Sequence, residues 1–347
     1  MKSLASDNYA GVIPEVMNAL IIENQSHAPA YGNDQTTKQL KEKFTSLLEQ
    51  AFHLHLVFNG TGANLFGLST LVKPYSAILC AETAHVYVDE STAPDTLLGS
   101  RLTPLPINNE GKLTPSVIKQ SVKRRGDLHH PQISVLSITQ PTEYGTLYTL
   151  DELKEIKQIA EECDLQLHID GSRIFTAITA LNCSLQDIVN VSGVDVLSVG
   201  GTKAGLLYGE AVLIFKTEIR DSSFLHKRSM QLASKNRFIA TQFMALLNQN
   251  TYKKYCETTI HRAKQLAAVL CKYPAVTITK PVEVNAVFAT IPEKWIQPLQ
   301  EILFFYVWDE AIHEIRLMCS FDTTEDEIDL FDKKLAELNQ DSIVSNS

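Results

Sequence analysis

LSVGGTKAG, residues 197–205, places one lysine in a glycine-bracketed turn directly after a mostly apolar run. The run Val194 to Val199 predicts a short buried strand, and the glycines predict the turn. An ordinary surface lysine keeps its ammonium in water. Lys203 is therefore either a snorkelling side chain or an amine held where it can form an imine with a carbonyl. The stretch alone leaves both interpretations open.

A second strand-like run, Leu165 to Ile169, contains His168 and ends in Asp170-Gly171-Ser172-Arg173. In an open α/β sheet, ligands bind outside the carboxyl ends of the strands, so we expect Asp170 and Lys203 to face one crevice. Pyridoxal phosphate needs such a pair, a lysine for its aldehyde and a carboxylate for its ring nitrogen. The alternative for Asp170 is an N-cap on a helix that begins at Ser172.

A third strand-like run, Leu54 to Phe58, leads into a tight turn, Asn59-Gly60-Thr61-Gly62-Ala63-Asn64, and then into apolar residues at helical spacing. The free N–H groups and the positive end of the helix dipole favour a phosphate dianion there, and the Thr61 hydroxyl can donate as well. The candidate phosphate site is thus Gly60, Thr61 and Gly62. A glycine-rich turn without a ligand remains open, because the pattern is neither GxGxxG nor a P-loop.

Six motifs taken together resemble low-specificity L-threonine aldolases, in the aromatic amino acid β-eliminating lyase and threonine aldolase group of fold-type-I pyridoxal phosphate enzymes. The resemblance runs in order from residue 4 to about residue 245 and more faintly beyond. Gly32-Asn33-Asp34 and Ser172 depart from the family's more frequent Gly-Asp-Asp and alanine, which are small changes that leave the expected cofactor contacts intact. The motifs are Leu4 to Asn8, His27 to Asp34, Phe58 to Asn64, Glu82 to His85, His168 to Arg173 and Gly200 to Lys203.

The expected fold is α/β, a fold-type-I, aspartate aminotransferase-like architecture with a mostly parallel seven-stranded sheet. Helical patterns separate most of the strand-like runs, which favours a sheet covered by helices on both faces. After residue 250 the pattern becomes helix, two β-rich stretches, helix, strand and helix. We therefore expect a large cofactor-binding domain over 1–248, with its segment 1–35 contributing to the active site or an interface, and a smaller α+β domain over 249–347. The strand-like runs lie near 54–58, 77–81, 101–105, 133–138, 165–169, 194–199 and 211–216.

The resemblance gives roles to the catalytic candidates. Lys203 carries the cofactor, Asp170 keeps its ring nitrogen protonated, and His85 stacks on its ring and removes the proton of the substrate's β-hydroxyl. A bound water as the base, or a purely structural His85, remains the alternative.

The resemblance also implies the surrounding contacts. Arg173 is the first choice for the substrate carboxylate, because a guanidinium binds a carboxylate with two parallel hydrogen bonds. Arg316 and Ser6 are further candidates for binding the substrate. For Arg316 the alternative is that it is only a charged residue on an edge strand of the small domain. Three other residues match family positions near the cofactor: Thr139 and Gln140 beside it, and Arg237 within reach of its phosphate across a subunit interface.

The function implied is retro-aldol cleavage of L-threonine or L-allo-threonine to glycine and acetaldehyde by a pyridoxal phosphate-dependent aldehyde-lyase. A β-eliminating lyase or an aminotransferase could use the same scaffold. A non-catalytic binding module would be expected to lack Lys203 or Asp170, and both are present. The resemblance also implies a homo-oligomer, which is at least a dimer and is usually a tetramer in this family.

Composition limits the partners of this 347-residue chain. Its net charge of −9, with no basic run, argues against nucleic acid. Six scattered cysteines without a CxxC pair suit a cytoplasmic protein with reduced thiols, and we expect no metal site. The longest strongly apolar stretch, Ile302 to Trp308, is far shorter than the roughly 20 residues that cross a bilayer, and no signal-peptide pattern is found. The expected partner is a small amino acid, with no membrane involved.

Overall fold

The computed structural model describes residues 2–216, 219 and 221–344. These residues form two compact units. The sheet unit comprises Val12–Glu143 and Leu147–Tyr252, and the C-terminal unit comprises residues 2–11, 144–146 and 253–344. The domain boundary near residue 248 stays a prediction.

A seven-stranded sheet forms the centre of the sheet unit, with strand order β1-β7-β6-β5-β4-β2-β3. Four neighbouring pairs are parallel, whereas β7 runs antiparallel to both of its neighbours. The predicted mostly parallel seven-stranded sheet is confirmed. The strands are β1 (His53–Val57), β2 (Ser76–Ala81), β3 (Arg101–Leu105), β4 (Gln132–Thr139), β5 (Gln166–Gly171), β6 (Val196–Val199) and β7 (Glu210–Ile214).

Three of the inner strands are buried along their whole length. Every residue of β2, β6 and β7 is buried, as expected for strands covered on both faces. The helices that accompany them are α1 (Pro14–Glu23), α2 (Gln35–Leu48), α3 (Gly60–Ser69), α4 (His85–Val88), α5 (Ala93–Leu98), α6 (Pro115–Ser121), α7 (Leu150–Glu162), α8 (Ile174–Ala180), α9 (Leu185–Ser192), α10 (Ser222–Arg228) and α11 (Arg237–Leu247).

Local sequence explains where these helices begin and end. Helix α7 starts with a capping box, in which Thr149 and Glu152 bond each other's backbone N–H groups. Helix α9 starts with a second capping box and ends at Gly193, whose φ of +60° is the left-handed conformation that glycine adopts without strain. On the buried side of the helices, Phe44 packs against Phe243 with ring centroids 6.3 Å apart.

The C-terminal unit carries a four-stranded antiparallel sheet with order β10-β11-β9-β8. Its core includes Leu4, Trp295, Phe305 and Phe331. The edge strand β10 was not predicted, because its residues overlap an apolar stretch without strand-like alternation. The elements are α12 (Thr251–Leu270), β8 (Thr277–Ile278), β9 (Ala286–Thr290), α13 (Glu293–Gln300), β10 (Tyr306–Asp309), β11 (Glu314–Met318) and α14 (Glu325–Val344).

Among the described residues, no single helix has the length and apolarity to cross a membrane. By length and composition alone, one bent pair, Ile174–Ala180 with Leu185–Ser192, meets that test.

Candidate active site

The strand register brings the predicted site residues to one rim of the sheet. Thr139, at the end of β4, pairs with Asp170 near the end of β5. Gly171 in turn pairs with Val199, the last residue of β6 and four residues before Lys203. At the same rim, Val57 ends β1 opposite Glu210, and the glycine turn follows directly. Three chain segments far apart in sequence therefore converge.

The glycine turn forms a helix N-terminus with free donors. Asn59 caps α3, and its Oδ1 accepts from Gly62 N at 2.7 Å. Within the described residues, the N–H groups of Gly60 and Thr61 have no protein acceptor. A Cβ added at Gly60 would meet no atom within 4 Å. Two N–H groups at the positive end of a ten-residue helix thus fit a phosphate.

Gly62 is fixed by packing. A Cβ at this position would collide with the side-chain amide of Gln231, whose Oε1 accepts from Phe58 N at 3.0 Å. Gln231 consequently joins the strand end before the turn to the helix start after it, and only glycine leaves room for it at position 62.

Asp170 is a buried carboxylate with two donors. Asn64 Nδ2 donates to its Oδ2 at 2.7 Å, and Ser172 N donates to its Oδ1 at 2.9 Å. Burial alone would raise the pKa of Asp170, but the neighbouring His168, the Asn64 hydrogen bond and the Lys203 ammonium outweigh it and hold the pKa below its usual value. Asp170 does not cap a helix at Ser172, since α8 begins at Ile174. An anion in this place fits a protonated pyridine nitrogen.

His168 lies on the same strand as Asp170. Its Nδ1 is 2.8 Å from Ser137 Oγ and its Nε2 is 3.3 Å from Ser198 Oγ. Burial lowers the pKa of His168 to about 4, so the ring is neutral near pH 7. Asn64 and Lys203 are then the groups that hold the Asp170 charge at neutral pH.

His85 is tied to Asp170 through two intermediates. It begins α4, and its Nδ1 lies 2.9 Å from Glu90 Oε1, which also accepts from Asn64 Nδ2 at 3.1 Å. The Glu90 hydrogen bond raises the pKa of His85 more than burial lowers it. Burial raises the pKa of Glu90, although both hydrogen bonds oppose that rise. The Asn64 amide nitrogen therefore joins Asp170 to the carboxylate that orients His85.

A second carboxyl fixes the backbone of His85. Glu143 Oε1 accepts from His85 N at 2.9 Å and from Thr139 Oγ1 at 2.8 Å. Burial raises the pKa of Glu143 to about 6. Thr139 therefore acts on the site through Glu143, and its hydroxyl is already engaged as a donor.

Lys203 lies in a single 3₁₀ turn, Thr202–Ala204, and is half-buried. The Gly201 N–H before it donates to the carboxyl of Glu210. A Cβ at Gly201 would collide with the carbonyl oxygen of Gly209 and with Leu206, so glycine is required there. The amine is thus presented by a turn that close packing holds in one conformation.

Other predicted residues have their polar atoms engaged elsewhere. Gln140 is fully buried, and its amide bonds both N and O of Tyr148. Arg237 donates to the carbonyls of Gln25 and Ser26 at 3.3 and 3.2 Å. Arg173 is half-buried at the start of α8, beside the Asp170 turn.

Ser6 and Arg316 belong to the C-terminal unit. Ser6 Oγ accepts from Asn8 N at 3.2 Å. Arg316 Nη2 donates to Ala5 O at 3.1 Å, and its guanidinium lies 5.7 and 5.1 Å from the ring centroids of Tyr306 and Trp308. The Arg316 head is thus held against two aromatic rings.

Residues 3–294 match the family model described as Beta-eliminating lyase. The chain belongs to the beta-eliminating lyase family. This lyase is 38% identical to the low specificity L-threonine aldolase of Pseudomonas aeruginosa, over 93% of each chain. It is 27% identical to that of Saccharomyces cerevisiae, over 85% of this chain and 75% of the yeast protein. The predicted resemblance to low-specificity L-threonine aldolases and the predicted lyase class are confirmed.

A solved structure supports the fold of this lyase. The Leishmania major threonine aldolase is 25% identical, covers 97% of this chain and 99% of its own, and superposes with a TM-score of 0.91. The fold-type-I architecture expected from the motifs is confirmed.

Sequence reasoning missed four polar residues of this lyase. Asn64 ends the glycine-turn motif, Glu143 follows Thr139 by four positions, and Glu90 follows His85 by five. Glu210 directly precedes the strand-like run 211–216, and an acid at the start of a buried strand was the available signal.

Proposed function

We propose that this lyase cleaves L-threonine and L-allo-threonine by a retro-aldol reaction, giving glycine and acetaldehyde, with pyridoxal phosphate as cofactor. One observation carries the proposal. The buried Asp170 carboxylate, with its lowered pKa, lies on the rim that also presents Lys203, and Asn64 and Glu90 link it to His85. The names of the relatives agree with this reaction.

Six residues would hold the cofactor. Lys203 would bind its aldehyde carbon, Asp170 its ring nitrogen and His85 its ring face, while Gly60, Thr61 and Gly62 would bind the phosphate. When bound, the cofactor supplies an electron-withdrawing ring that takes up the electron pair of the broken Cα–Cβ bond. The free N–H groups of the glycine turn and the Asp170 anion are the features of this chain that fit it.

His85 is the proposed base. It would take the proton from the β-hydroxyl oxygen of the substrate while the Cα–Cβ bond breaks. Glu90 at 2.9 Å orients the imidazole and raises its pKa, which makes it a stronger proton acceptor. The bond from His85 N to Glu143 fixes the backbone that carries the ring.

Arg173 is the proposed anchor of the substrate carboxylate, with Ser6 and Arg316 as further candidates by resemblance. Thr139, Gln140 and Arg237 remain cofactor-contact candidates on the same basis. Clamping the carboxylate would fix rotation about the bond from Cα to nitrogen. Held in this way by Arg173, the substrate would be oriented for cleavage of its Cα–Cβ bond and not for loss of its Cα proton.

Product analysis tests the reaction. With L-threonine and no added keto acid, an aldolase releases glycine and acetaldehyde in equal amounts. A β-eliminating lyase would instead release 2-oxobutanoate and ammonia, and an aminotransferase would stop after one half-reaction. Extending the assay to L-allo-threonine, β-phenylserine and serine defines the selectivity, and 2-oxobutanoate as the main product would overturn the proposal.

We also propose a cytoplasmic homo-oligomer, a dimer at least and a tetramer by resemblance. Large apolar side chains of the sheet unit are exposed, among them Ile21 and Ile22 of α1, Phe224 of α10 and Met230. A contiguous patch of such side chains is typical of a surface that binds a second copy. The six cysteines lie within the described residues and none of them forms a disulfide, which suits a reducing compartment. Sedimentation velocity measures the assembly, and a monomer at micromolar concentration would contradict it.

A further inference from the structure

A buried acid stands between the two strands that carry the lysine and the phosphate turn. Glu210 begins β7, is 6% exposed, and pairs with Val57, the last residue of β1. The next residue, Ala211, pairs with Val199 at the end of β6. The Glu210 carboxyl therefore lies in the interior of the sheet at the site rim, where burial of a charge is costly unless it has partners.

The partners of Glu210 belong to the turn that holds Lys203. Gly201 N donates to it, and the backbone and hydroxyl of Thr202 both lower the pKa of its carboxyl. Thr202 Oγ1 also accepts from Gly209 N at 3.1 Å, which ties the turn to the residue before Glu210. The two residues ahead of Lys203 thus take their positions from one carboxyl.

The charge of Glu210 changes in the neutral pH range. Burial raises the pKa of Glu210 from 4.5 to about 7, although the hydrogen bonds from Gly201 and Thr202 and the Lys203 ammonium all oppose the rise. Lys203 is the charged group that acts on Glu210, and Lys203 in turn acts on Asp170 and His85. Glu210 and Asp170 therefore both place negative charge around one amine, but Glu210 alone of the two bonds the amine's own turn.

We propose that Glu210 is a positioning residue of the active site, which holds the Lys203 turn through Gly201 and Thr202 and stabilises positive charge on the Lys203 nitrogen. The inference rests on the proposed cofactor-binding role of Lys203. The Glu210 carboxylate would keep the Lys203 nitrogen protonated until the cofactor binds. Below about pH 7 Glu210 becomes neutral and would no longer stabilise that positive charge.

Two variants separate charge from structure. Glu210→Gln keeps a side-chain oxygen that can accept from Gly201 N but removes the negative charge. Thr202→Val removes the hydroxyl that accepts from Gly209 N and lowers the pKa of Glu210, but it keeps the carboxyl. If Glu210 acts only as a structural bond, the two variants should affect Lys203 in the same way.

The test measures labelling of Lys203 in the cofactor-free protein by formaldehyde and cyanoborohydride, followed by peptide mass spectrometry across a pH series. Removal of a nearby anion makes a neutral amine available at lower pH. We expect the pH of half-maximal labelling to fall by about 1 in Glu210→Gln and to stay at the wild-type value in Thr202→Val. An unchanged midpoint in Glu210→Gln, or an equal shift in both variants, would overturn the inference.

Two further readouts keep the test decisive. Pyridoxal phosphate should protect Lys203 from the label. If Lys203 is not protected, the proposed function is wrong. If Lys203 is protected but the labelling midpoint of Glu210→Gln is unchanged, only the role of Glu210 is wrong.

The second readout is the melting temperature of the cofactor-free protein. Because the folded state holds the Glu210 proton more tightly than the unfolded chain, wild-type stability is lost as pH rises through 7. The Tm of Glu210→Gln relative to wild type should therefore be higher at pH 8 than at pH 5, and a pH-independent difference would contradict a buried charge.

Discussion

The side-chain nitrogen of Asn64 lies 2.7 Å from Oδ2 of Asp170 and donates a hydrogen bond to it. The same nitrogen donates to Glu90 at 3.1 Å, so one amide serves two buried carboxylates. Since Glu90 orients His85, Asn64 couples the proposed partner of the ring nitrogen to the proposed base.

Replacing Asn64 with alanine should weaken both stability and cofactor binding. Two buried carboxylates lose a donor, which costs about 2–3 kcal/mol of unfolding free energy. The pKa of Asp170 should rise, and we expect the Kd for pyridoxal phosphate to increase at least tenfold. Absorbance titration measures the Kd and urea unfolding the stability. Tyr273→Phe, which loses a hydrogen bond to Asp332 in the C-terminal unit, is the control for stability loss alone. Equal Kd values in the two variants would argue against the coupling.

Glu90→Gln should move the pH profile of kcat/KM. The Glu90 hydrogen bond is the main cause of the raised pKa of His85, and a base must be unprotonated to act. Wild-type activity should rise with pH through this raised value, and the acidic limb should shift to lower pH in the variant. His85→Ala should remove that limb and lower kcat by about 10²–10⁴. A limb that stays in place in both variants would mean that another group is the base.

Glu143→Gln should change how stability depends on pH. The pKa of Glu143 is about 6 in the folded protein because the group is buried, against 4.5 for an exposed glutamate. The folded state holds the proton more tightly, so wild-type stability falls by about 2 kcal/mol as pH rises from 4 to 7. The glutamine keeps an acceptor for His85 N and Thr139 but cannot ionise. The free energy of unfolding of the variant relative to wild type should therefore increase with pH, as chemical denaturation would show.

Gly62→Ala should displace Gln231 and disturb the phosphate turn. The added methyl group would occupy the position of the Gln231 amide, which would lose its bond to Phe58 N. Pyridoxal phosphate affinity should fall, because Phe58 and the turn after it lose this brace. Gln231→Ala opens space for the methyl group, so the double variant should bind the cofactor no worse than Gln231→Ala alone. A further loss in the double variant would show that the clash lies elsewhere.

Local patterns were sufficient to predict much of the fold. Apolar runs that end in glycine or a polar residue mark the buried strands. The sequence predicted a tight turn over Asn59 to Asn64, whereas α3 already begins at Gly60. Strand β10 was not predicted for two reasons. Tyr306–Asp309 is a short edge strand with half its residues exposed, and the apolar stretch that overlaps it does not alternate between apolar and polar residues. The direction of β7 in the sheet was not predicted either, because its antiparallel pairing depends on its neighbours and not on its own residues.

The site was predictable where a residue acts through its own strand end or turn. Lys203, Asp170 and the Gly60 turn follow from position along the chain. Glu90 and Glu210 do not, since their importance comes from contacts with Asn64 and Gly201 that only the folded sheet creates. Gln140 is a further case of a contact that the sequence does not predict. It follows Thr139, which pairs with Asp170 in the sheet, and its side-chain amide bonds Tyr148.

We propose above that Lys203 carries the cofactor for aldol cleavage. Borohydride reduction of the protein loaded with pyridoxal phosphate, followed by peptide mapping, is the decisive test of this role. We expect a single reduced cofactor adduct on Lys203 in the wild type. We expect no adduct in Lys203→Ala, together with loss of acetaldehyde release from L-threonine. An adduct on another lysine, or a Lys203→Ala variant that still cleaves threonine at the wild-type rate, would contradict it.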